Sequence, residues 1–302
     1  MRAISTVPIL LPCLVQAAFG QLLLQHAGSR DPGLSGWARQ GNGDGVTASA
    51  IINDLDQGVD AWSIDDDVET PDHLYYSADL AEPDRQLVNQ NGWRLTVRLR
   101  VVDFPTSVAG ASASNNSIAV RVRPGDGGRN FDLIVGSGWS DGMQCVIANG
   151  IYQSGPEYAE IVVEHLPRFG EWGQASLTMA INGHLRYTYT DPTPNGSGSA
   201  YVAWGCFGGV TVGEGAWNLV RFEALPPVEP PAVTSIILDD TRIWLTLGGI
   251  RKGVYYQIRQ SQDLMSDSWA LASGFRAGQS GVLSWSIGRT SAPRLFFRVN
   301  TK

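Results

Sequence analysis

Trp93-Arg94-Leu95-Thr96-Val97-Arg98-Leu99-Arg100-Val101 is the stretch that decides the fold class. Apolar side chains stand at 93, 95, 97, 99 and 101, and polar ones at 94, 96, 98 and 100. A period of two belongs to a β-strand, whose successive side chains point to opposite faces. One face is therefore expected in a core and the other in water. Antiparallel sheets tolerate one wet face, so the pattern points to an all-β, antiparallel β-sandwich.

Outward from this strand, Gly and Asp punctuate further short patterns. Strands are expected over 45–52, 61–64, 74–80, 117–123, 131–136, 143–148, 158–164, 175–181, 184–190, 200–205 and 217–223. Asn182-Gly183 fits a two-residue hairpin turn, where positive φ favours Asn and Gly. Gly125-Asp126-Gly127-Gly128 reads as a second turn, and 82–89 as one weakly helical patch. Pro226, Pro227, Pro230 and Pro231 then interrupt the pattern with a stiff, extended spacer. This gives a domain over 21–224, a Pro-rich linker over 225–232 and a smaller Ig/fibronectin-like β domain over 233–302. Strands of the smaller domain are expected over 233–238, 243–247, 255–261, 269–272, 282–286 and 295–299. Trp244, Trp269, Trp285, Phe296 and Phe297 are expected to fill its core.

Composition agrees with strands and turns rather than long helices. Charged residues make up only 17%, against 35 Gly and 10 Trp in 302 residues. The net charge of -7, with no basic stripe to offset it, argues against a nucleic-acid partner. The N-terminus has the form of a secretory signal peptide. Arg2 supplies the positive end, 4–14 the apolar core, and Ala18-Phe19-Gly20 the small residues of a cleavage site after Gly20. Pro8 and Pro12 interrupt the apolar run, which falls short of a membrane span. The expected location is secreted, periplasmic or cell-surface. Beyond residue 20 only Cys145 and Cys206 remain. An even count permits one disulfide, and two buried thiols fit the same apolar contexts equally well.

Ala61-Trp62-Ser63-Ile64-Asp65-Asp66, Tyr75-Tyr76 and Gly92 to Asp103 together carry a resemblance. The chain resembles the concanavalin A-like jelly-roll modules of secreted bacterial proteins, and in particular the non-catalytic lectin-like modules of bacterial sialidases. Met179-Ala180-Ile181-Asn182-Gly183 is similar to a laminin-G-type hairpin. Trp217-Asn218-Leu219-Val220-Arg221-Phe222 is similar to the closing strand of such modules. The resemblance covers roughly residues 31–224. The tail resembles small terminal β-sandwich modules through Tyr255-Tyr256-Gln257-Ile258, Ser261-Gln262-Asp263-Leu264, Trp269 and Phe296-Phe297-Arg298-Val299. It implies a sandwich fold and carbohydrate binding.

Two residue sets carry the candidate chemistry. Asp54, Asp56, Asp65 and Asp67 lie in an acid-rich stretch, and hard oxygen ligands are what Ca²⁺ takes. Jelly-roll modules carry a structural Ca²⁺ often enough for the resemblance to support that expectation. Trp139 with Asp141, and Trp172, lie in Gly-rich loops, where an aromatic ring is free to meet a ligand. Trp62 and Tyr76 complete the expected ligand contacts. Glycoside hydrolysis needs two acids across the scissile bond. Glu160 and Glu164 share one strand face, but the acid motifs of jelly-roll glucanases are absent. No serine elbow, His-Glu-x-x-His or Cys-x-x-Cys occurs.

The expected function is non-catalytic binding of a polysaccharide or glycoconjugate, assisted by calcium. The alternatives are a jelly-roll glycoside hydrolase with atypical acid placement, or a cell-envelope adhesion or structural protein with a protein partner.

Overall fold

The computed structural model describes residues 20–41, 46–66, 73–107, 118–126, 128–135, 144–147, 157–168, 175–190, 198–207, 211–227, 231–251, 254–262, 265, 269–278, 281–288 and 295–301. The strands of its first part are β1 (Gln21–Ala27), β2 (Ala38–Gln40), β3 (Val46–Asp54), β4 (Val59–Asp66) and β5 (Leu74–Asp79). The helix α1 (Glu82–Asn91) follows, then β6 (Trp93–Ser107), β7 (Ile118–Arg123), β8 (Phe131–Val135) and β9 (Gln144–Ile147). β10 (Ala159–Leu166), β11 (Ser176–Ile181), β12 (His184–Thr190), β13 (Tyr201–Cys206) and β14 (Thr211–Ala224) complete it.

These strands form two sheets. The first runs β12-β11-β10-β6-β14-β4-β3, with β1 also paired to β14. The second runs β2-β5-β13-β7-β8-β9 and is antiparallel except for β8 and β9. The alternation on β6 sets the layers: Trp93, Leu95, Val97, Leu99 and Val101 are all at most 3% exposed, while Arg94 points to solvent. On the facing sheet, Trp204 is the hub of an aromatic cluster. His26 stacks on it at 4.8 Å, Tyr76 at 5.2 Å, and Trp217 tilts against it at 5.2 Å. The hairpin expected at Asn182-Gly183 forms between β11 and β12, with φ of 50° and 75° at its two central residues. Positive φ at both is the signature of a type I′ turn. The helical patch is α1. β1 and β2 are strands that the sequence reading did not anticipate.

The second part has its own hydrophobic core, built on Ile243, Leu245, Leu247, Ile250, Val254, Tyr256 and Ile258. Its strands are β15 (Ala232–Leu238), β16 (Arg242–Ile250), β17 (Tyr255–Ser261), β18 (Ala270–Arg276), β19 (Gly281–Gly288) and β20 (Phe296–Thr301). They make two three-stranded sheets, β15-β16-β19 and β18-β17-β20. Trp285 and Phe297 pack against this core as expected. Trp244 does not: it is 40% exposed, because Ile243, Leu245 and Leu247 take the inward positions of β16. One arginine ties the two sandwiches together. Arg251 donates to the Pro226 carbonyl at 2.9 Å and to the Asn91 carbonyl at 2.6 Å.

Cys206 is a buried thiol that donates to Asp66 Oδ2 at 2.7 Å. Cys145 stands on β9, three strand spacings from β13. That is about 14 Å at the usual interstrand distance, beyond the reach of a disulfide. The thiol alternative therefore holds for Cys206.

Candidate functional site

The polar residues of β6 point to the outer face of the eight-stranded sheet, and strand register arranges them with their neighbours in rungs. One rung reads Thr178, Glu164, Arg94, Glu223 across β11, β10, β6 and β14. The next reads Ala180, Val162, Thr96, Arg221, and the third places Glu160 opposite Arg98. The middle rung is short in side chain over three of its four positions. It forms the floor of an open cleft of about 410 Å³ between two charged rungs.

Ion pairs fix the charged rung. Arg94 donates to Glu164 Oε2 through Nη2 at 2.8 Å and through Nε at 3.2 Å. Arg221 pairs with Glu223. Arg98 lies over the Tyr158 ring, 5.5 Å from its centre, and donates to Asn218 Oδ1 at 3.4 Å. The far end of the face is closed by the tip of the β3–β4 hairpin. There Asp54 accepts from Arg100 Nε at 2.8 Å, from Arg100 Nη2 at 2.9 Å and from the Tyr158 hydroxyl at 2.7 Å. Burial raises the Tyr158 phenol well above its usual range, and the Asp54 carboxylate adds to that shift. Burial opposes ionisation of Asp54, but Arg100 and Tyr158 outweigh it and hold the carboxyl below its usual range.

The residues expected to bind calcium do not meet. Asp54 is engaged by a guanidinium. Asp56 lies in the same hairpin tip, where Asn53 donates to it at 3.4 Å. Asp65 lies six residues along β4 from Val59, the partner of Asp54. At the rise of a strand that is about 20 Å away. Asp67 lies outside the described residues. Among those described, no three His, Cys, Asp or Glu side chains gather in a form that holds a metal. This acid set does not fit one calcium ion.

The expected ligand contacts divide in two. Trp139, Asp141 and Trp172 lie outside the described residues. Trp62 and Tyr76 lie inside the sandwich, 9% and 2% exposed, and the Trp62 Nε1 donates to the Tyr76 hydroxyl at 3.2 Å. Their ring faces are used by the core, so they form no ligand platform. The arginines of the cleft escaped the sequence reading. The signal was present in the polar phase of the opening stretch.

Glu160 and Glu164 lie four residues apart on one strand, which separates them by about 13 Å at the backbone. Glycosidase acids stand about 5–10 Å apart. Glu164 and Glu223 flank Arg94, and each is engaged by an arginine through one carboxylate oxygen.

No family model matches the chain, and neither does any curated protein sequence. Among solved structures it is similar to a carbohydrate esterase from Shiga toxin-encoding bacteriophage phi24B. The identity is 14% and the TM-score 0.42, over 68% of this chain and 100% of that one. It is similar to an endo-β-1,4-glucuronan lyase from the fungus Trichoderma reesei at 10% identity and TM-score 0.41, over 68% and 96% of the two chains. It is also similar to the binding domain of botulinum neurotoxin serotype D/C, at 9% identity and TM-score 0.39, over 84% and 70%.

Proposed function

We propose that this protein binds a glycan, without cleaving it, across the outer face of the eight-stranded sheet. The observation that carries the reading is the cleft itself. Its floor of Thr96, Val162 and Ala180 is low enough for a sugar chain to lie on, and its walls present carboxylates and guanidinium groups already fixed by ion pairs, one across strands and one along β14. Hydroxyl-rich ligands are held by such preset donors and acceptors, and presetting lowers the entropic cost of binding. The concanavalin A-like resemblance of residues 31–224 supports the same reading. Export belongs to the proposal as well. The first strand begins at Gln21, so cleavage after Gly20 leaves every described strand intact.

The test is retention on a panel of immobilised polysaccharides, with reducing-end release read in parallel. Thr96→Trp fills the floor of the cleft from a half-buried position on the outer face. Retention on at least one polysaccharide of the panel lost in Thr96→Trp, with no release by either protein, is the expected result. Retention unchanged in that variant on every polysaccharide rejects the cleft, and release of sugar ends rejects the non-catalytic reading.

A further inference from the structure

The second sandwich carries an indole in an unusual setting. Trp244 projects from the outer face of the β15-β16-β19 sheet with 40% of its surface open. A tryptophan left this exposed forfeits part of the stabilisation that full burial of a large apolar side chain contributes. It is nevertheless held in place. Its Nε1 donates to Asp239 Oδ2 at 2.8 Å. Asp239 is anchored in turn: its Oδ1 accepts from the backbone of Thr241 at 2.7 Å and of Arg242 at 2.6 Å. These bonds, the one from Trp244 foremost, hold the Asp239 carboxyl down to about 2. The ring orientation is set before any partner arrives.

The surroundings of the ring identify what would fit it. Register places Ile237 and Ser286 on either side of Trp244, and Ser235 and Ser284 on either side of Thr246 one rung along. Ser235 Oγ and Thr246 Oγ1 share a hydrogen bond of 2.8 Å. Arg242 lies 5.8 Å from the indole centre and donates to Ser286 Oγ at 2.9 Å. The face therefore offers one fixed aromatic plane, the aliphatic Ile237 beside it and a field of hydroxyls, with its flanking charges already engaged; the exposed Val282 lies on the same face, one rung beyond Ser284. A protein partner is met by a contiguous apolar centre of several large side chains, whereas here the rung of Ser235, Thr246 and Ser284 separates Val282 from Trp244 and Ile237. A pyranose ring has the complementary make-up: a C–H face that lies on an aromatic plane, edged by hydroxyls that exchange hydrogen bonds with Ser and Thr.

We propose that the Trp244 face of the second sandwich is a separate carbohydrate site, which stacks a pyranose unit of a neutral polysaccharide on the indole and meets its hydroxyls with Ser235, Thr246, Ser284 and Ser286. It stands on different residues from the cleft of the first sandwich and does not depend on it.

The experiment is affinity electrophoresis of the full two-sandwich protein in gels containing hydroxyethyl cellulose, galactomannan, arabinoxylan or laminarin. Sedimentation and thermal melting of the same samples run alongside. Wild type, Trp244→Ala, Trp244→Tyr, Ile237→Asp and the cleft variant Thr96→Trp are compared. The expected result is retardation in at least one gel that weakens at least tenfold in Trp244→Ala and in Ile237→Asp. It survives in Trp244→Tyr and in Thr96→Trp. Ile237→Asp leaves the indole in place, so it reports on the face even if Trp244→Ala folds poorly. The proposal is overturned by no retardation of the wild type in any gel, by equal retardation of Trp244→Ala and wild type, or by a wild-type dimer that Trp244→Ala converts to monomer. Loss of retardation in Thr96→Trp alone assigns binding to the cleft and rejects this site.

Discussion

Removing the Asp54 carboxylate tests how the far end of the outer sheet face is built. Asp54 is 7% exposed and meets the Arg100 guanidinium through two hydrogen bonds, at 2.8 and 2.9 Å. Asp54→Ala leaves Arg100 buried without its counter-charge. Breaking a buried pair in this way costs about 3–5 kcal/mol, a large part of the roughly 5–15 kcal/mol that stabilises a domain. Tyr158→Phe removes one hydrogen bond to a charged acceptor and costs about 1.5–3 kcal/mol. The double variant Asp54→Ala/Arg100→Met removes both charges and recovers most of the loss, because it is the orphaned charge rather than the missing pair that is costly. Urea unfolding followed by tryptophan fluorescence measures all four proteins. The pH arm has a defined sign. The folded Asp54 carboxyl lies below its ordinary value of 3.8, so its contribution is complete above that value and fades as pH falls through the folded one. The gap between wild type and Asp54→Ala is therefore full at neutral pH and narrows in acid. A loss under about 1 kcal/mol in Asp54→Ala, or a double variant no more stable than the single, refutes the reasoning.

Two further outcomes follow from buried groups. His26 stacks on Trp204 and His165 on Trp93, and burial, the largest cause in both, takes each from 6.5 down to about 4. The unfolded chain then takes up protons first, so stability falls as pH drops from 6.5 towards 4, by about 3 kcal/mol for each histidine titrated in full. Urea midpoints measured across that range should flatten in His26→Phe and in His165→Phe, and an unchanged slope in both would exclude histidine as the cause. Gly92 links α1 to β6 at φ +90°, where an added Cβ meets the His165 carbonyl oxygen at 2.2 Å. Gly92→Ala should cost about 3 kcal/mol or more from strain and overpacking together, and a melting temperature equal to the wild type would show that the junction relaxes.

Why the cleft was harder to read than the fold is visible in single residues. Period two on β6 assigned Trp93 and Val97 to the core because it states which side chains share a face. It does not state which other strands lie beside that face. Arg94, Glu164 and Glu223 form one rung although the chain separates them by 70 and then 59 positions. Only the order β10-β6-β14 brings them together, and no local pattern encodes that order. The acid-rich stretch shows the same reason in reverse. Asp54 and Asp65 are close in sequence, but an antiparallel hairpin carries them to opposite ends of its length. Trp62 and Tyr76 were read as ligand contacts from their aromatic character, yet both occupy the inward phase of their strands. Trp244 is the converse. Ile243, Leu245 and Leu247 fix the inward phase of β16, and Trp244 falls in the opposite one. Its position was legible, and the pull of a large apolar side chain towards the core obscured it. In a strand, an aromatic residue out of phase with its apolar neighbours is the one that the core does not explain, and that is where a ligand-facing ring should be sought.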